Sequence, residues 1–276
     1  MIKNTTNFID SSEDINYSHI ITNCPKNKMH ILHNHKDELE ILIFLKGDCE
    51  FRVEGSVYKL DKYDTVIAAN NEMHRIYHHS DLPYERIVIT IHTDFFIKNN
   101  CEKYSNIFYN RALGTNNLIP YEITKNTDFI NAVMRLEKYY AEEGGNAVIS
   151  KSIIIEILHI LSKCITETDT LVSYNKYIKD IITYINDNLT SDLNLDTISE
   201  HFFINKSYLC RIFKKHTGFT VNKYITHKRI MLVRELCQNN VSLSEASIQA
   251  GFGNYSNFYK MYVKETGQSP KVELKK

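Results

Sequence analysis

Between residues 38 and 92 apolar and polar positions alternate in short runs, at 38–45, 49–53, 57–60, 65–69, 75–78 and 86–92. Turn residues separate the runs: Lys46-Gly47-Asp48, Glu54-Gly55-Ser56, the stretch 61–64, Asn70-Asn71 and the stretch 81–83. Alternate side chains of a strand share one face, so this spacing predicts an antiparallel sandwich or barrel. Phe51, Val53, Val57 and Leu60 would make a half-buried face of it. From residue 128 the apolar period lengthens to that of a helix. Ile130, Val133, Met134, Leu136 and Tyr140 mark a helix over 128–143, and Glu143-Gly144-Gly145 breaks it. Ile149, Ile153, Ile154, Ile157, Leu158 and Leu161 mark a second over 146–166, broad enough on its apolar side for its own domain and a partner chain.

A polar stretch over 167–175 reads as a linker, and everything after it reads as helical. Ile178, Ile181, Ile182, Ile185 and Leu189 form one face; Leu195, Ile198 and Phe202 form a shorter one. Residues 220–238 contain no Gly or Pro and carry Val221, Tyr224, Ile225, Leu232 and Leu236. Ser242-Leu243-Ser244-Glu245 has the pattern of a capping box, and Gly218 and Gly267 stand where helices should stop. The domains expected are 1–94 (sheet), 95–170 (a helical pair serving dimerisation) and 171–276 (all helical).

One helix-length segment occurs twice. Asn205, Ser207, Arg211, Phe213, Lys215, Thr217 and Gly218 return 49 residues later as Asn254, Ser256, Lys260, Tyr262, Lys264, Thr266 and Gly267. As helices, the first copy buries Leu209, Ile212, Phe213 and His216, and the second Phe258 with Met261 or Tyr262. The opposite faces show Lys206, Ser207, Cys210, Arg211 and Lys214, then Tyr255, Ser256, Tyr259, Lys260 and Lys264. A short helix, a tight corner and a polar, basic second helix make a helix-turn-helix, whose second helix enters the major groove. Arg and Lys there read acceptors on guanine, so Arg211 and Lys260 are the base-reading candidates. Lys206, Lys214, Lys215 and Lys264 are placed for phosphates. The 220–238 connector, 19 residues long, would span roughly 28 Å, against about 34 Å between successive grooves on one side of the duplex.

Charge changes the picture in the same direction. The chain is neutral overall, but residues 174–276 carry 15 Lys and Arg against 9 Asp and Glu, while residues 1–173 carry 18 against 24. A basic third on a neutral chain points to a polyanion partner for that part. Six scattered cysteines without a C-x-x-C predict reduced, mostly buried thiols. With no apolar run long enough for a bilayer and no signal-peptide core at the N-terminus, a cytoplasmic protein is expected.

The C-terminal residues resemble the DNA-binding domain of AraC/XylS-type transcriptional regulators. The resemblance lies in Tyr208-Leu209-Cys210-Arg211-Ile212-Phe213-Lys214-Lys215-His216-Thr217-Gly218, in Tyr224-Ile225 and Arg229, in Gly251-Phe252, Ser256 and Phe258, and in the stretch 264–270 ending Ser269-Pro270. It implies base-facing positions at Ser207, Cys210 and Arg211, then at Tyr255, Ser256, Tyr259 and Lys260. Ser199 and Ser247 stand where that family usually has Ala, and Glu273-Leu274 replaces its aromatic-Arg pair. In the N-terminal part His33, His35, Glu40, Gly47 and His74 resemble a cupin barrel, although Tyr63 replaces the Gly that normally precedes Asp64. These histidines with Glu40 would line or brace a small-ligand pocket, with Phe44, Phe51 and Tyr58 as walls; neither a metal nor another cofactor is expected. The reading is therefore a multidomain chain: an all-β cupin-like barrel with a helical pair, then an all-α tandem helix-turn-helix domain. It implies a homodimeric, ligand-responsive transcriptional activator on double-stranded DNA, without catalytic residues or membrane contact. The alternative is a metal-dependent cupin enzyme fused to a DNA-binding domain.

Overall fold

The computed structural model describes residues 3–11, 14–23, 35, 37–143, 147–165, 173–174, 176–217, 219–266 and 269–273. The chain forms two compact units, Met1–Ser173 and Tyr174–Lys276.

The first unit begins with strands β1 (Lys3–Ser11) and β2 (Ile15–Asn23), followed by β3 (Glu38–Lys46), β4 (Cys49–Val53) and β5 (Ser56–Lys59). Then come β6 (Thr65–Ala68), β7 (His74–His78), β8 (Tyr84–His92) and the short β9 (Leu118–Ile119). One antiparallel sheet has the order β1-β2-β8-β3-β6-β9; in the other, β4 lies between β5 and β7. The strands read at 38–92 are present. The β1–β2 hairpin had not been expected, because few of its residues alternate apolar with polar.

The larger sheet is covered on both faces. Leu42, Phe44, Val66, Ala68 and Tyr84 face Phe51, Val53, Tyr58 and Ile76 of the smaller sheet. On the other face, Leu39, Ile41, Ile43, Ile87, Ile89 and Ile91 pack against helices. Chief among these are α4 (Phe129–Glu143) and α5 (Ala147–Ile165), which follow the short α1 (Asp94–Lys98), α2 (Asn106–Tyr109) and α3 (Tyr121–Thr124). Ile154, Ile157, Leu158 and Leu161 of α5 are fully enclosed, each worth about 1.5–3 kcal/mol of burial. Of the face expected on β4 and β5, Phe51 and Val53 are buried, while Val57, paired with Arg52, is half-exposed. The Glu143-Gly144-Gly145 break runs into residues outside those described.

A buried carboxylate pins the loop before β9. Glu72 accepts both Arg111 nitrogens, Nη1 at 2.8 Å and Nη2 at 2.5 Å. It also accepts the backbone N–H of Gly114 at 2.7 Å, that of Ala69 at 3.0 Å and Asn117 Nδ2 at 2.9 Å. Burial alone would raise its carboxyl; Arg111 outweighs this and lowers it.

The second unit is all helical: α6 (Lys176–Asp187), α7 (Leu195–His201), α8 (Lys206–Thr217), α9 (Val221–Gln238), α10 (Leu243–Gln249), α11 (Tyr255–Thr266) and α12 (Pro270–Glu273). The 18-residue α9 matches the expected connector. Phe213 of α8 packs on Tyr224, at 5.5 Å between rings, and Phe258 and Tyr262 of α11 cluster with Ile230 and Val233. Several helix starts carry side-chain caps. Asn194 accepts from Asp196 and Thr197, and the Thr197 hydroxyl accepts the Asn194 N–H in return, a complete capping box. At Ser242 only half the predicted box forms: the serine oxygen caps Glu245 N, but the Glu245 carboxylate takes Gln249 Nε2 at 3.1 Å instead of reaching back.

Candidate nucleic-acid interface and inter-sheet pocket

In α8 the residues facing inward are Leu209, Phe213 and Thr217; Ile212 and His216 are half-buried. In α11 they are Phe258 and Tyr262, which settles the choice left open with Met261, itself exposed. On the outer faces Lys206, Ser207, Arg211, Lys214 and Lys215 are exposed and Cys210 is half-buried. Ser256, Tyr259, Lys260 and Lys264 are likewise exposed, with Tyr255 half-buried. The side chain of Arg211 lies 5.4 Å over the Tyr208 ring, a cation–π contact that steadies it. Lys206 forms an exposed ion pair with Asp196 of α7, so a phosphate there would compete with that carboxylate. Both helices start on an asparagine: Asn205 Oδ1 accepts Tyr208 N at 2.7 Å, and Asn254 Oδ1 accepts Asn257 N at 2.8 Å.

The corners place these helices. After α7, Phe203 takes a left-handed φ of 53°, and Ile204 N reaches back to Ser199 O. After α10, Gly251 takes φ 89°, and Phe252 N reaches back to Ser247 O. Ser199 and Ser247, noted as departures from Ala, each give their hydroxyl to a carbonyl three residues earlier, Asp196 O at 3.0 Å and Ser244 O at 2.7 Å. That satisfies the hydroxyl within its own helix.

In the first unit a cavity of about 80 Å³ opens between the sheets, bounded by Glu40, Leu42, Phe51, His74, Ile76, Tyr84, Arg86 and Val88. Arg75 also borders it; strand alternation turns that side chain to the sheet face opposite His74 and Ile76. Of the expected walls, Phe51 is present. Phe44 and Tyr58 are buried nearby, and Tyr58 spends its hydroxyl on Gly114 O at 3.1 Å.

Three of the four expected ligand residues come together: Glu40 and His74 border this cavity, and His35 lies against Glu40. His35 Nε2 lies 2.8 Å from Glu40 Oε2, and His74 Nε2 lies 3.7 Å from the same oxygen. His33 lies outside the described residues. His35 lies in irregular chain, not in a strand, and Glu40 lies on β3. His74 stacks on Phe51 and directs Nδ1 at Glu72 O, 2.9 Å away. That carbonyl can only accept, so Nδ1 carries a proton and Nε2 faces Glu40. Burial would raise the Glu40 carboxyl, but the charge of His74 and the hydrogen bond with His35 hold it well below the usual range. Burial likewise lowers His74, and Glu40 outweighs it and raises it.

The ligand atoms of His35, Glu40 and His74 lie within 4.8 Å of one another. Two imidazoles and one carboxylate suit a divalent transition metal, and the Nδ1 contact to Glu72 O is the kind of outer bond that orients a ligating histidine. Arg86 and Glu72 went unremarked in the sequence. Arg86 sits in an alternating strand, and Glu72 follows a turn; neither carries a local signal.

Two helix-turn-helix corners on one connector, in the same chain as a two-sheet domain with a pocket, define a DNA-binding protein with a ligand-binding module. Comparison with known proteins agrees. Residues 198–276 match the helix-turn-helix domain model, and residues 17–110 match the AraC-like ligand binding domain. The transcriptional activator AarP of Providencia stuartii is 31% identical over 96 residues, covering 34% of this chain and 71% of AarP. The melibiose operon regulatory protein of Escherichia coli K12 is 32% identical over 95 residues, 34% of this chain; the chain spans about a third of that relative's length, 32%. ToxT of Vibrio cholerae, solved with a methylnaphthalenyl butenoic acid, is 14% identical over 95% of this chain and 98% of ToxT, with a TM-score of 0.43. The chain belongs to the AraC family of transcriptional regulators. Among the described residues, no helix is long and apolar enough to cross a membrane.

Proposed function

We propose that this chain is a transcriptional regulator that binds double-stranded DNA sequence-specifically through α8 and α11 and responds to a small molecule held between the sheets of its first unit. One observation carries this: two capped helices of equal length, each on a tight corner, expose polar and cationic faces while Leu209, Phe213 and Thr217 on one and Phe258 and Tyr262 on the other are buried. Arg211 and Lys260 reach base edges, with Ser207, Cys210, Tyr255, Ser256 and Tyr259 completing the reading faces. Lys206, Lys214, Lys215 and Lys264 hold phosphates. Glu40, His35 and His74 brace one end of the pocket, and His33 belongs to the same motif.

Two chains pair through the helical segment 95–170, where Ile155 and Ile160 of α5 are only half-buried. The dimer brings four reading helices to a pair of similar half-sites in the cytoplasm. Its output is activation, as the name of the AarP relative states for that protein. The ligand acts by favouring one arrangement of the DNA-binding units, which requires different affinity for two states. The chain works as a binding switch and not as a catalyst.

The test is selection of fragmented genomic DNA by the purified full-length protein. Enrichment of a few fragments sharing two similar half-sites is expected. Equal retention of every fragment would overturn the reading.

A further inference from the structure

We infer that the inter-sheet pocket takes a short-chain organic acid, with its carboxylate held by Arg86. This rests on the ligand-responsive reading above and names the chemical class of the ligand. Arg86 lies on β8 between Tyr84 and Val88, is 8% exposed and borders the cavity. A guanidinium has five N–H donors. Among the described residues one is used, from Nη1 to Thr22 Oγ1 at 2.6 Å, and the group lies 4.4 Å over the Tyr84 ring. Among the described residues no carboxylate forms an ion pair with it. Arg111, by contrast, is also buried but grips Glu72 with two nitrogens.

The carboxylate in the same cavity is already engaged. Glu40 pairs with Thr90 across β3 and β8, and Phe44 pairs with Arg86. Glu40 and Arg86 therefore stand about 13 Å apart along the strands. Glu40 faces two imidazoles at its own end. The Arg86 end is left with a buried cation and a cavity beside it. Burial and the Arg86 charge together lower the nearby His78, in keeping with a positive field there.

The chemistry of the walls selects the anion. The planar fork of a guanidinium matches the two oxygens of a carboxylate. A phosphate dianion would bring two charges to one cation in a space of about 80 Å³ lined by Leu42, Phe51, Ile76 and Val88. A space that small leaves room for only a short hydrocarbon part.

The experiment is calorimetric titration of the full-length protein with butyrate and with the neutral isostere butyramide. Wild-type protein should bind butyrate, and butyramide about tenfold more weakly or worse. Arg86→Met should lose a similar factor for butyrate, and Arg86→Lys should keep part of the preference for the acid. Equal affinity for acid and amide, no binding of butyrate by wild type, or undiminished butyrate binding by Arg86→Met would each overturn the inference. The acid–amide comparison uses wild-type protein and stands even if Arg86→Met fails to fold. Genomic selection by wild-type protein is read separately: enriched fragments with no preference for the acid would leave the regulator reading intact and remove only this one.

Discussion

The two helix-turn-helix copies share a skeleton and differ in what they display. After the corner they are 49 residues apart, Asn205 with Asn254; before it they are 48 apart, Ser199 with Ser247. The extra residue in the second corner is Gly253, at φ 74°. The backbone bonds match in spite of it: the serine carbonyl, the left-handed residue and the asparagine cap recur in both. The faces do not match. α8 exposes four cations, a serine and Tyr208; α11 exposes two cations, a serine, Asn257, Tyr259 and Met261, with Tyr255 half-buried beside them. Backbone hydrogen bonds and the buried stripe constrain a corner tightly, whereas its outer side chains are free to diverge. On the proposed reading, two copies of one device would then recognise different sequences.

The comparison breaks first in the core. Phe213→Ala and Phe258→Ala remove side chains that are fully buried, and each should cost about 3–5 kcal/mol in denaturant unfolding. A small loss in one copy alone would mean the skeletons are not equivalent. Next come the corners. A Cβ on Gly251 would meet Leu189 O at 2.8 Å and Arg229 Nε at 2.9 Å at a left-handed φ, so Gly251→Ala should destabilise by about 1–3 kcal/mol. On DNA, Arg211→Ala should weaken specific binding by about 1–3 kcal/mol and relax one base position, while Lys214→Ala lowers affinity for every sequence and reduces the salt slope by about 1. Quantitative binding to selected and random duplexes separates them; equal loss on both for Arg211→Ala removes its reading role. Caps come next. Asn194→Ala loses a complete box, about 1 kcal/mol, and should exceed Ser242→Ala, which loses half of one. Smallest is Phe203→Gly. This residue is 96% exposed in a left-handed conformation, so glycine should raise stability by a few tenths of a kcal/mol, and thermal unfolding showing a loss instead would identify a packing role for the ring.

Much of this was legible in the sequence because period reports burial on one side. The α8 and α11 stripes, the connector and most strands of the 38–92 region follow directly. The signal fails where both sides are covered. In β8, Arg86 and Ile87 are both buried, since one face meets the smaller sheet and the other the helices, so alternation could not show that Arg86 points inward. Glu72 was illegible for another reason: Arg111, Gly114 and Asn117 lie 39, 42 and 45 residues away. The short α1, α2 and α3 have too few turns to establish a period. Tyr63, flagged as replacing a glycine, does take the left-handed φ of 70° that a glycine would adopt.

Arg229 binds two carbonyls left over after α6, Leu189 O at 2.9 Å and Ser191 O at 2.8 Å, and its guanidinium fills the space beside Gly251. A single rivet thus fastens the entrance of the first copy to the corner of the second. Neither copy can work loose without tugging on the other, and amide exchange across residues 176–266 should report one shared opening event. Such a result would make the two copies one cooperative body, in which a change in one is felt in the footing of its twin.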